Sequence, residues 1–107
     1  AWESKAFDFG ARESLKLARR VLLQVRPNGV AGQLRCYLRP DQGALKGLAT
    51  VNYPATSEIV TLQFIAGAIG LGPFKTLSVR IENATKDARP EIHSIAIEHM
   101  VVGVQVD

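Results

Sequence analysis

The sequence predicts an all-β protein: an antiparallel β-sandwich of about seven to eight strands, with jelly-roll or immunoglobulin-like strand order. Two observations support this prediction. Apolar and polar residues alternate along several short segments, and clusters of turn-forming residues separate those segments. The chain has 107 residues, a usual size for one domain, and 47% of them are hydrophobic. We therefore expect residues 1–107 to form a single β-sandwich domain.

The clearest alternation lies in segments 20–26 and 34–39, which end at the turn signals Pro27-Asn28-Gly29 and 40–43. The apolar residues of the two segments are Val21, Leu23, Val25, Leu34, Cys36 and Leu38. Asn and Gly tolerate positive φ, so the first turn favours a hairpin between the segments, with arginines on its outer face. Residues 11–23 also fit a helical spacing, so a helical turn before residue 20 is a competing interpretation.

The second half of the chain predicts three further strands, at 58–66, 75–83 and 91–106, and a short strand within 45–53. Val60, Leu62 and Phe64 share one face of the 58–66 strand, with Ile59 and Ile65 opposite. A glycine-rich apolar loop at 67–73 and a polar loop at 84–90 separate these strands. The apolar run Met100–Val104 predicts burial on both sides or docking to another chain.

Charge and cysteine content narrow the function classes. The net charge is +3 and the isoelectric point about 9.4, which is mildly basic. The single cysteine, Cys36, shares a face with Leu34 and Leu38 and is predicted to be a buried thiol. No apolar run approaches the ~20 residues that span a bilayer, and the opening residues do not resemble an export signal. We expect synthesis in a reducing compartment and no membrane association.

Catalytic motifs are not evident in the sequence. The glycines of 67–72 lack the Lys-Ser/Thr that completes a phosphate-binding loop. His93 and His99 lie about 20 Å apart on one extended strand, too far to share a metal ion. Glu91 and Glu98 are predicted on opposite faces of that strand, so they do not form an acid/base pair. We therefore expect no enzyme activity, no cofactor and no metal.

Arginines occupy alternating outer positions and predict a basic sheet face. They are Arg20, Arg26, Arg35, Arg39 and Arg80. Such a face suits an acidic protein surface or a nucleic acid. Tyr37 is the only aromatic residue interleaved with these arginines. Proteins that bind single-stranded nucleic acid rely on aromatic residues that stack on the bases. Nucleic-acid binding is therefore possible but not favoured.

The two ends of the chain resemble small β-sandwich modules of tailed-bacteriophage virion proteins. In those modules a Ser-Lys pair and a hydrophobic-Asp-hydrophobic-Gly run open the first strand, as Trp2–Gly10 does here. An apolar-His-small-apolar stretch before an acidic residue forms their last strand, as in Pro90–His99. The resemblance implies a non-catalytic structural protein of a virion, in the head, neck or tail, made in the host cytoplasm.

Protein–protein contacts are the expected mode of action, with other subunits of a homo-oligomer or a larger assembly as partners. The candidate contact residues are Trp2, Phe7, Phe9, Ile69, Leu71, Phe74, Arg35, Arg39, Arg80, Met100 and Val102. A carbohydrate- or receptor-binding sandwich is the alternative, and it needs exposed aromatic residues gathered at one end of the domain. A nucleic-acid-binding β domain is the third interpretation.

Overall fold

A computed structural model describes residues 2–4, 6–7, 14–48, 50–66, 72–85 and 90–104, with the backbone alone at residues 2, 14 and 101–104. This part of the chain contains eight β-strands and no helix. The strands are β1 Trp2–Glu3, β2 Ser14–Arg26, β3 Gly32–Pro40, β4 Lys46–Gly47, β5 Val51–Tyr53, β6 Val60–Ile65, β7 Leu77–Asn83 and β8 Glu91–Val104.

The strands form two antiparallel sheets that enclose one core. The larger sheet has the order β1-β7-β3-β4, with β5 also paired to β3, and the smaller sheet has the order β6-β2-β8. Both sheets contribute alternate residues to the core, among them Val21, Leu23, Val25, Leu34, Cys36, Leu38, Leu62, Phe64, Leu77, Val79 and Ile81. Two sheets that bury their facing side chains define a β-sandwich, which confirms the predicted fold class.

The alternation in β2 and β3 correctly predicted which residues face the core. The predicted apolar residues of both strands are buried, and the residues between them are exposed or half-buried. Cys36 is fully buried, as predicted. The period of two thus orients the side chains of each strand before any pairing partner is known.

The predicted hairpin between β2 and β3 is wrong. Asn28 and Gly29 form the turn, with φ of 59° and 83°, but β2 and β3 lie in different sheets. The chain therefore arches from one sheet to the other at this point, and Gly29 N donates to Thr56 O across 2.9 Å. The competing helical interpretation is also wrong over its described part, because β2 begins at Ser14.

Bulges interrupt the long ladder between β2 and β8. The register shifts leave Arg19 on β2, and His93 and Val102 on β8, without a directly opposite residue. The bulge at His93 places Glu91 opposite Arg26, on the same face as Glu98 opposite Arg20. The prediction that the two glutamates lie on opposite faces is therefore wrong.

β8 is an edge strand of the smaller sheet. Its Met100 side chain is 46% exposed. Of the two alternatives predicted for Met100–Val104, burial on both sides is therefore wrong at Met100, and docking to another chain stays a prediction. The strand has 14 residues, and the domain measures 52 × 23 × 22 Å. A strand of this length, about 48 Å, fits only along the long axis.

Candidate interaction surface

Both edge strands of the smaller sheet pair with β2 alone among the described strands. β6 occupies one side of β2 and β8 the other. The outer edge of such a strand presents backbone N–H and C=O groups that can pair with a strand of another chain. β8 is the longest strand of the described part and offers the longer of the two edges.

Exposed apolar side chains accompany these two edges. Ile92 and Met100 on β8 are 38% and 46% exposed, and Ile65 at the end of β6 is 49% exposed. Ile59, just before β6, is also exposed. Single exposed apolar residues are normal on a protein surface, and these four lie along two strand edges that β2 separates.

An apolar cleft of about 430 Å³ opens beside the start of β8. Its lining residues are Phe7, Pro90, Ile92, His93, Ser94 and Ile95. Phe7 pairs with Leu77 of the larger sheet, so the cleft lies between the edges of the two sheets.

The arginines predicted to form one basic face are divided between the two sheets. On the larger sheet, Arg39 Nη2 lies 3.2 Å from Glu3 Oε1 and Arg80 Nε lies 3.0 Å from Glu82 Oε1. Arg35 is opposite Glu82 in the register of β3 and β7. The carboxylates neutralise much of the positive charge, so this face is not a continuous basic patch.

The remaining predicted arginines lie on the smaller sheet and also face carboxylates. Arg26 Nη1 lies 3.8 Å from Glu91 Oε2. Arg20 Nε donates to Glu98 on β8, and Arg20 Nη1 donates to Gln63 Oε1 on β6 at 3.2 Å. The hydrogen bond to Glu98 and the negative charge of this carboxylate raise the pKa of Arg20 above its usual value. This polar network crosses all three strands of the smaller sheet.

A second cleft, of about 440 Å³, lies at the edge of the larger sheet. It is polar, and its lining residues are Glu3, Ser4, Ala6, Arg39, Gln42 and Ser78. The pairing of Arg39 with Glu3 neutralises the charged groups of this cleft against each other.

The predicted contact residues have different outcomes. Phe7 and Met100 are exposed, and Arg35, Arg39 and Arg80 lie on the outer face of the larger sheet. Trp2 lies in β1 and Val102 in β8, but their side chains are outside the described part. Phe9, Ile69 and Leu71 lie outside the described residues.

Phe74 is fully buried and belongs to the core, which corrects its prediction as a contact residue. Its backbone N and O exchange hydrogen bonds with O and N of Lys16, at 2.9 and 2.8 Å. This local pairing with β2 fixes the segment against the smaller sheet, and the phenyl ring fills the interior. The sequence shows only that Phe74 follows a glycine-rich loop, and this position does not predict a backbone pairing with Lys16.

Sequence reasoning did not select Ile59, Ile65 and Ile92 as contact residues. The alternation already placed Ile59 and Ile65 on the polar side of their strand, which was a usable signal. Alternation gave Ile92 the same signal, on the face of Ser94 and Ala96, but the bulge at His93 sets Ile92 opposite the buried Val25, where it is still 38% exposed.

The described residues contain no group of three His, Cys, Asp or Glu side chains that could hold a metal ion. Within the same part of the chain, no helix has the length and apolarity needed to cross a membrane. Comparison with protein-family models, curated proteins and solved structures finds no match.

Proposed function

We propose that the chain is a non-catalytic structural subunit that associates with other copies of itself through its smaller sheet. The observation that carries this proposal is the combination of strand edges and exposed apolar residues on that sheet. Strand edges supply directional backbone hydrogen bonds, and apolar side chains supply the hydrophobic contribution to association. The resemblance of the chain ends to phage modules supports a place in a virion.

The alternative, a carbohydrate- or receptor-binding module, receives less support from the aromatic residues. Sugar recognition uses exposed aromatic faces. Among the described aromatic side chains, Tyr53, Phe64 and Phe74 are buried, Tyr37 is half-buried, and Phe7 alone is exposed. They are not gathered on one accessible surface.

Light scattering over a concentration series tests the proposed self-association. We expect the wild-type chain to form a defined oligomer. Met100→Lys, at the β8 edge, should weaken it, because the change buries a charge in an apolar contact. Val30→Lys is the matched control, since Val30 is 47% exposed but lies in the turn between the sheets.

Three outcomes contradict the proposal. The wild-type chain could remain monomeric at every soluble concentration, or Val30→Lys could weaken the oligomer as much as Met100→Lys does. Specific binding of a glycan by a monomeric chain, in a glycan panel, would favour the carbohydrate-binding alternative instead.

A further inference from the structure

The outer edge of β8 contains one segment that is complementary to itself. Between the bulges at His93 and Val102, each residue of β8 has a directly opposite residue on β2. The single irregularity of this stretch is on β2, where Arg19 is the extra residue. This segment, Ser94–Val101, contains neither proline nor lysine, the residues that commonly protect a strand edge from pairing. A regular edge of this length can accept another strand.

We propose that two copies of the chain pair their β8 strands antiparallel about a twofold axis at Ala96. This inference rests on the proposed self-association and names its partner and geometry. The two smaller sheets then form one continuous sheet of six strands, in the order β6-β2-β8-β8-β2-β6.

The sequence around Ala96 supports this axis, because a twofold pairs residue 96−k with residue 96+k of the second copy. Within the regular segment, Ile95 then lies opposite Ile97 and Ser94 opposite Glu98, and just beyond it the bulged His93 meets His99. Apolar residues thus meet apolar residues, and polar residues meet polar ones. Ile95 and Ile97 pack only partly against the core, so their remaining exposed surface is covered by the second copy.

Other axes along the same segment pair unlike residues. Directly opposite residues of an antiparallel pair share a face, so the axis must pass through a residue. An axis at Glu98 sets two carboxylates against each other. Axes at Ile95 and at Ile97 each set an isoleucine opposite a histidine.

Ala96 is an exposed residue on the outer face of β8, opposite Leu22 of β2. A longer side chain there extends into solvent and does not disturb the core. In the proposed dimer, however, the two residues at position 96 are direct neighbours, with about 5 Å between their Cβ atoms. A substitution at position 96 therefore tests the twofold axis without altering the fold.

A charge-swap experiment tests this axis. We expect Ala96→Lys and Ala96→Glu each to weaken the dimer roughly 100-fold, because like charges then face each other. Mixing the two variants should restore a dimer containing one copy of each, as measured by light scattering and native mass spectrometry. Recovery on mixing also shows that both variants are folded.

Thr61→Lys and Thr61→Glu form the matched control pair. Thr61 is exposed on β6, the opposite edge of the same sheet, and these changes should leave the dimer unaffected. The proposed axis is overturned if the Thr61 pair shows the swap behaviour, if the Ala96 variants still dimerise alone, or if mixing fails to restore the dimer.

The result also separates this inference from the proposed function. An oligomer that Met100→Lys disrupts and the Ala96 variants do not would keep self-association through the smaller sheet and overturn the twofold at Ala96. A monomeric wild-type chain would overturn both.

Discussion

Cys36 illustrates how burial controls the chemistry of a single residue. Its side chain is fully buried on the inner face of β3. Burial raises the pKa of the thiol from 9.0 to about 12, because desolvation disfavours the thiolate. The thiolate is the reactive form, so the native thiol is expected to be inert.

We predict that a thiol reagent labels native Cys36 very slowly up to about pH 10, which is well below the raised pKa. Unfolding in denaturant should expose the thiol and make labelling fast. Ser57→Cys provides an internal control, since Ser57 is exposed and its thiol should react at once. Equal rates at the two positions in the native protein would contradict the prediction.

Gly32 is a position where close approach requires glycine. A Cβ atom there would lie 2.3 Å from Tyr53 Oη and 2.9 Å from Thr85 Oγ1. Tyr53 is buried, and its hydroxyl donates to Asn83 Oδ1 at 3.2 Å. The absence of a side chain at Gly32 thus allows β5 to hold Tyr53 against β3 and β7.

We predict that Gly32→Ala lowers the free energy of unfolding by roughly 1–3 kcal/mol, the usual cost of overpacking. Urea denaturation measures this change. Gly47→Ala is the control, because a Cβ atom there would meet Tyr37 Cε1 at an ordinary 3.4 Å. The explanation fails if both substitutions cost the same.

At the scale of elements, the turn after β3 is held by one carboxylate. Asp41 Oδ1 accepts from the backbone N–H groups of Lys75 and Thr76, at 2.9 and 3.1 Å. Asp41 N donates to Thr76 O, and Asp41 adopts a positive φ of 48°. The residue thus joins the end of β3 to the segment that leads into β7.

We predict that Asp41→Ala destabilises the domain by about 2 kcal/mol, because two N–H groups lose their acceptor and alanine disfavours positive φ. Asp41→Asn should cost much less, since asparagine retains an acceptor oxygen and tolerates this conformation. The measurement is again urea denaturation. An asparagine variant as unstable as the alanine variant would contradict this role.

The sequence predicted the faces of the strands but not their partners. The period of two depends only on local geometry, so the buried residues of β2 and β3 were predicted correctly. Pairing depends on contacts between distant segments, such as Ser14 with Val104. The turn at Asn28 and Gly29 has the predicted chemistry, yet it joins two sheets because β6 and β8 occupy both sides of β2.

The candidate surface was predictable only in part, for a related physical reason. Met100 was selected from an apolar run that lacks a polar face, and it is exposed. Phe74 was selected from its apolar loop, and it is buried by a pairing with Lys16 that no local pattern encodes. The bulge at His93 likewise reorients Ile92 and Glu91 without a sequence signal.

At the scale of the whole molecule, the proposed twofold has consequences for shape. β8 runs along the 52 Å axis of the domain. Ala96 lies close to the middle of the 14 residues of this strand. Two copies paired about Ala96 therefore lie side by side with antiparallel long axes, displaced by about three residues, or about 10 Å.

We predict a maximum dimension of about 60–70 Å for the dimer in small-angle X-ray scattering, only slightly above the 52 Å of one domain. The cross-section should widen instead, because the second smaller sheet extends the first in its own plane. The Ala96→Lys chain serves as the monomer reference. Association through the ends of the domains would give about 100 Å, twice the length of one copy. Such a value would contradict pairing along β8, since strands that share most of their length cannot produce it.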